Sequence, residues 1–183
     1  MTYKLTVAGV TRELPLCPIS DSLTIAAFVV FGDVELPCAC AAELLKKAPE
    51  FDYMIAPEAK AIPLIHEMAR QSDRNEYFVA RKKKKAYMDG VFEAVDRSIT
   101  TEGEQKLYMD GADAKKMRGR RILILDDVIS TGGSLAAVES LVVQAGGIVA
   151  GRMAVLAEGD AKNRDDIIFL EPLPLFDRNG RPL

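Results

Sequence analysis

"RRILILDDVISTGGSLAAVES", residues 120–140, is the stretch that decides the fold. Four aliphatic residues, Ile122 to Leu125, read as a buried strand that delivers two carboxylates, Asp126 and Asp127. The loop "VISTGGS" follows, and a helix opens near Gly133 or Ser134. A loop that opens a helix presents free backbone N–H groups and the positive end of the helix dipole. Glycine lets the backbone approach an anion closely, and Ser130, Thr131 and Ser134 add hydroxyl donors, so Ser130–Ser134 has the chemistry of a phosphate cradle. It lacks the lysine and spacing of a nucleotide-triphosphate loop and the Gly-x-Gly-x-x-Gly of a dinucleotide loop. Bare carboxylates beside a phosphate should repel it. They make sense if the ligand carries hydroxyls next to its phosphate: a carboxylate accepts hydrogen bonds from a vicinal diol and can help hold a hydrated Mg2+.

Outward from this unit the chain alternates. "LPCACAAELLKKAPE" predicts a helix, "FDYMIAP" a short buried strand, and "AIPLIHEMARQS" a helix with Ile62, Ile65, His66 and Ala69 on one face. "EYFVAR" predicts a strand, residues 82–117 a polar excursion with strand character at "VFEAVDRSI" and "QKLYMDG", and "RRILILDD" the next strand. The helix "GSLAAVESLVVQAG" ends at Gly146-Gly147, and the strands "IVAGRMAVLAE" and "DDIIFLEPLPLF" complete the chain. Before all this, "YKLTVAG" and "RELPLCPI" read as strands around a turn at Gly9, while "DSLTIAAFVVFGD" fits strand or helix equally. The expectation is an α/β fold, a mostly parallel twisted sheet flanked by helices, with a small N-terminal hood over residues 1–35, a core over 36–158 and a C-terminal segment over 159–183.

The 183 residues suffice for one domain with a sizeable core. A composition 49% hydrophobic and 28% charged is that of a soluble globular protein, and a net charge of −3 argues against wholesale nucleic-acid binding. No apolar run approaches the ~20 residues of a membrane-spanning helix. The first residues lack the apolar segment of a signal peptide, and an odd count of three cysteines suits a reducing cytoplasm. Cys38 and Cys40 read as small helix residues rather than metal ligands, since His66 is the single histidine.

"DDVISTGGS" behind four aliphatics resembles the 5-phosphoribosyl 1-pyrophosphate (PRPP) motif of the type I phosphoribosyltransferases. The resemblance runs in element order from Phe51 to about Glu158. It implies that Ser130, Thr131, Gly132, Gly133 and Ser134 hold the 5′-phosphate, that Asp126 and Asp127 take the ribose hydroxyls and assist Mg2+, and that a second anion site holds pyrophosphate. Two stretches qualify for that site. "APEAKAIP" offers the loop Glu58, Ala59, Lys60 and Ala61, where adenine enzymes carry an arginine near the place of Lys60. "ARKKKKAY" offers five consecutive cations, of which Arg81, Lys82 and Lys85 match by position and Lys83 and Lys84 read as solvated. Arg81 and Lys82, with Asp126 and Asp127, are the expected catalytic residues. The segment between Lys85 and Met117 matches the family's flap, with Glu93 as a candidate substrate contact. His66 is not expected to act as a base.

What the resemblance implies is transfer of phosphoribose from PRPP to a nucleobase through an oxocarbenium-like state, with no nucleophilic side chain and with Mg2+ as cofactor. Ser130 stands where hypoxanthine-guanine enzymes carry aspartate, adenine enzymes a small residue and orotate enzymes threonine, so adenine is the expected base; xanthine and orotate stay open. A homodimer in the cytoplasm acting in purine salvage is the family expectation, with PRPP and a nucleobase as its partners and neither membrane nor nucleic acid. Proteins of another class share the fold: regulators that bind PRPP without turning it over. They carry a winged helix of ~70 residues, whereas ~35 to 50 strand-like residues precede the core here.

Overall fold

The computed structural model describes residues 1–96 and 105–183. Its centre is a five-stranded, wholly parallel sheet in the order β10-β9-β8-β4-β5, made of β4 (Tyr53–Pro57), β5 (Phe78–Ala80), β8 (Arg121–Ile129), β9 (Ile148–Glu158) and β10 (Ile168–Leu173). Helices α1 (Glu35–Lys47), α2 (Ile62–Gln71), α3 (Gly111–Met117) and α4 (Gly133–Gln144) connect and cover the strands. The aliphatic run of β8 shows why both faces must be covered. Leu123 and Leu125 point into one core with α1 and α2, whereas Ile122 and Ile124 point into the other with α4 and α3. Alternation across a pleated strand thus turns one continuous apolar run into two half-cores, each buried Leu or Ile contributing about 1.5–3 kcal/mol.

The hood is a three-stranded sheet, β1 (Thr2–Val7), β2 (Val10–Pro18) and β3 (Thr24–Ala26). β1 and β2 pair around Ala8-Gly9, both at positive φ, as expected of a tight hairpin. Of the ambiguous stretch after it, Thr24–Ala26 alone is strand. The C-terminal segment ties the hood to the core: Thr24 and Phe176 exchange both backbone hydrogen bonds at 2.9 Å. Phe176 is buried against Tyr3, ring centroids 5.1 Å apart.

Some expectations need correction. β8 does not stop at Asp127; it continues to Ile129, because Val128 and Ile129 still pair with Leu156 and Ala157 of β9. His66 is exposed, edge-on to Tyr77, and the buried face of α2 is Leu64, Ile65, Met68 and Ala69. At 100° per residue His66 falls outside that stripe. Helix α3 was not expected within the polar excursion; Asp110 caps it by accepting from the Ala112 N–H. Strands β6 (Phe92–Asp96) and β7 (Gln105–Met109) form an antiparallel pair where strand character was expected, while residues 97–104 of the expected flap lie outside the described residues.

Candidate active site

In an open α/β sheet, ligands bind beyond the carboxyl ends of the strands where the strand order reverses. Here the reversal lies between β8 and β4: the chain steps outward to β5 on one side and to β9 and β10 on the other. The loops after β4 and β8 therefore leave in opposite directions and frame a cavity of about 370 Å3. Glu58, Ala59, Lys60, Lys82, Asp126, Asp127 and Ser130–Ser134 line it. They come from three separate stretches of the chain. Ala61, Arg81 and Lys85, expected with them, do not line it. Ala61 is buried at the start of α2, and Arg81 stands behind the lining Glu58 while donating to the Tyr87 hydroxyl at 2.9 Å.

The turn after β8 has the geometry of a cradle. Gly132 adopts φ +83° immediately before α4, a conformation glycine enters without steric cost. Arg164 sits behind it, so that an added Cβ at Gly132 would fall 2.5 Å from Nη1. This guanidinium was missed by sequence reasoning; it also pairs with Asp166 at 2.7 Å.

The two aspartates differ. Asp127 is 3% exposed, with Lys60 Nζ 2.8 Å from its Oδ2. The angle is not that of a hydrogen bond, and we read the contact as an ion pair. Asp126 reaches the cavity, and its Oδ1 accepts the Asp127 N–H at 2.9 Å. Burial, then the charge of Asp127, raises the Asp126 carboxyl well above the ordinary aspartate range. An acid raised in the folded state holds its proton more tightly there than in the unfolded chain, so it lowers stability as pH rises above the unfolded value. Asp126→Asn keeps the acceptor and removes the charge. Its Tm at pH 8 should rise by about 2–4 °C, on the order of 1 kcal/mol. The gain should shrink as pH falls toward about 4, where the unfolded aspartate also protonates. Scanning calorimetry at the two pH values checks both halves.

Across the cavity, Glu58 organises the lysine run. Its Oε2 accepts the Lys82 N–H at 2.9 Å and stands 3.2 Å from Arg81 Nε. Burial pushes the Glu58 carboxyl up, but the Lys82 N–H, Arg81 and Lys85 outweigh it, and the group lies below the usual range. Glu58 N–H is already donated to Ala80 O at 2.8 Å. Lys82, Lys83 and Lys84 are exposed and Lys85 is half-buried. Glu93, on β6, pairs with Lys106 at 3.0 Å and does not line the cavity. Cys38 and Cys40 lie on α1, away from the site; burial pushes the Cys40 thiol up to about 12. Glu158 at the end of β9 does line it, 8% exposed, and was not among the expected site residues. Its signal was an acidic residue closing a buried apolar strand.

The phosphoribosyl transferase domain model matches residues 39–171, which is most of the sheet and every loop just described. The chain belongs to the phosphoribosyltransferase family. It is 30% identical over 146 residues to a hypoxanthine/guanine phosphoribosyltransferase from Methanocella paludicola, covering 79% of this chain and 69% of that one. Its fold is similar to the adenine phosphoribosyltransferase from Thermoanaerobacter pseudethanolicus, with a TM-score of 0.69 and 22% identity over 87% of this chain and 95% of that one. The Saccharomyces cerevisiae adenine phosphoribosyltransferase is similar too, with a TM-score of 0.66 and 20% identity over 86% and 92%. The phosphoribosyltransferase fold and transferase class expected from the PRPP motif therefore hold. Among the described residues no helix is long and apolar enough to cross a membrane.

Proposed function

We propose that this phosphoribosyltransferase moves the 5-phosphoribosyl group from PRPP to a purine, with adenine as the base, acting as a single catalytic domain beneath its hood. The observation that carries the reading is the one cavity in which the Ser130–Ser134 turn, the Asp126–Asp127 pair and the Glu58–Lys60 loop face one another. In the reaction the bond from ribose C1′ to pyrophosphate oxygen breaks and a bond from C1′ to purine N9 forms, with the N9 proton lost to water.

The turn fixes the 5′-phosphate by backbone N–H groups, with the charge of Arg164 behind it. Asp127 accepts from the ribose hydroxyls and holds the ring in place for in-line displacement. Lys60 and Lys82 neutralise charge growing on the departing pyrophosphate. Magnesium, implied by the family, fits as an ion held mainly by PRPP phosphates. Asp126 and Asp127 face the substrate space, and among the described residues no cluster of three or more His, Cys, Asp or Glu makes an all-protein site. When bound, it supplies Lewis-acid stabilisation of the leaving group. The family expectation of a homodimer and the free cysteines of a cytoplasmic protein fit the same reading.

A second reading, hypoxanthine or guanine as the base, is favoured by similarity to relatives such as the Methanocella hypoxanthine/guanine phosphoribosyltransferase. Pyrophosphate release from PRPP and MgCl2 with each of six nucleobases separates them. Release greatest with adenine is expected; release greatest with hypoxanthine or guanine selects the second reading. PRPP binding without release for any base would mark a sensor instead.

Lys82→Ala with Lys85→Ala should lower kcat at least tenfold and blunt its response to Mg2+, with PRPP affinity changing less than kcat. Steady-state kinetics across a magnesium series checks this. A kinetically silent double variant would return the lysine run to a solvated face.

A further inference from the structure

The roles above leave one polar side chain of the cavity without work. Among the described lining residues, Glu58 is committed to Lys82 and Arg81, the aspartates face the sugar, and the Thr131 and Ser134 hydroxyls belong to the phosphate turn. Glu158 remains. It stands at the junction of two walls. On one side the Ser130 hydroxyl donates to its carboxylate. On the other lies an apolar roof of Ile19, Leu23 and Ile25 from the hood and Leu175 from the C-terminal segment. Leu175 closes directly over the residue that follows Glu158: an added Cβ on Gly159 would lie 2.9 Å from Leu175 Cδ1. The roof is the part of the cavity suited to a flat, apolar-faced ring.

We infer that Glu158 reads the edge of the base, its carboxylate accepting a hydrogen bond from the amino group at purine C6. This rests on the purine reading of the same cavity. The edge follows from nucleotide geometry. In the anti conformation, C8 of a purine lies over the 5′-phosphate, so the edge carrying N7 and the C6 substituent runs along the side nearest the phosphate turn, where Ser130 holds Glu158. There adenine offers one donor, its amino group. Hypoxanthine offers two acceptors, N7 and O6, which a carboxylate repels, and a buried acceptor left without a donor discriminates strongly. Burial raises the Glu158 carboxyl above the ordinary glutamate range; the Ser130 hydroxyl and Lys60 oppose that rise and favour the ionised, accepting form, while the nearby charge of Asp127 adds to it.

The test compares kcat/KM for adenine and hypoxanthine at pH 8 and saturating PRPP, in the wild type and in Glu158→Gln, whose amide donates as well as accepts. The wild type should prefer adenine, and the variant should lower the adenine-to-hypoxanthine ratio at least tenfold, with the PRPP Kd from calorimetry within twofold. An unchanged ratio, or a wild type that prefers hypoxanthine, overturns the assignment. Competition on the wild type serves even if the variant does not fold: 6-methylpurine, which lacks the donor, should compete with adenine at least tenfold more weakly than adenine itself binds, and equal competition overturns the assignment. A wild type that transfers to no base would overturn the proposed function itself, a result distinguishable from a purine transferase whose base choice ignores Glu158.

Discussion

Asp127→Asn should weaken PRPP binding by roughly 10- to 100-fold in titration calorimetry while the protein stays folded. The size follows from exchanging a charged acceptor for a neutral one, about 1.5–3 kcal/mol for a hydrogen bond to a charged group. The fold should tolerate the change because of what surrounds the residue. Asp127 is almost wholly buried and its partner Lys60 is 48% exposed in its side chain, so the lysine that loses its ion pair simply returns to water. The substitution also removes a charge from beside Asp126, which relieves the repulsion between the two carboxylates. Unchanged PRPP affinity would take Asp127 out of the sugar site. A circular-dichroism melt close to wild type is the control that separates lost binding from lost structure.

Gly132→Ala should have a comparable effect by a different route. At φ +83° an alanine is strained by roughly 1–2 kcal/mol wherever its methyl points. The collision with Arg164 adds less, because a guanidinium at the end of a long side chain can move. Relief of the strain means rotating the peptide that opens α4, and with it the N–H groups proposed to hold the phosphate. The Tm should fall by a few degrees, and KM for PRPP should rise at least tenfold with ribose 5-phosphate inhibition weakened in parallel. A variant with normal KM for PRPP would show that the turn does not hold the phosphate.

The strand, turn and helix from Arg121 to Gln144 were legible because each local signal agreed: an apolar run for a sheet covered on both faces, a glycine where φ must be positive, and a helix beginning at the same point. The parallel order followed from strand-helix alternation. Other features depended on the tertiary fold. Helix α3 is short and polar, and its Asp110 cap is a weak signal within a charged segment. The periodicity that placed His66 with the apolar stripe of α2 was a near miss in angle that packing against β4 and α1 resolved the other way. The Lys60–Asp127 ion pair joins two loops distant in sequence and depends on β4 and β8 being neighbours. Glu158 carries only the weak signal of an acid closing an apolar strand, and Arg164 carries none. They become site residues because β9 lies beside β8 and because the turn after β9 folds back behind Gly132.

The knot between Thr24 and Phe176 gives the two ends of the chain a shared fate. The ceiling of the cavity is assembled from the first and last segments, whereas the floor proposed to grip phosphate and sugar comes from the middle. Under the proposed function, substitutions among the lining residues of the hood and C-terminal segment would reshape the upper wall without changing a residue of the proposed transfer site. A laboratory library confined to Ile19, Leu23, Ile25 and Leu175 would therefore probe base preference while leaving the proposed phosphate and sugar contacts unaltered.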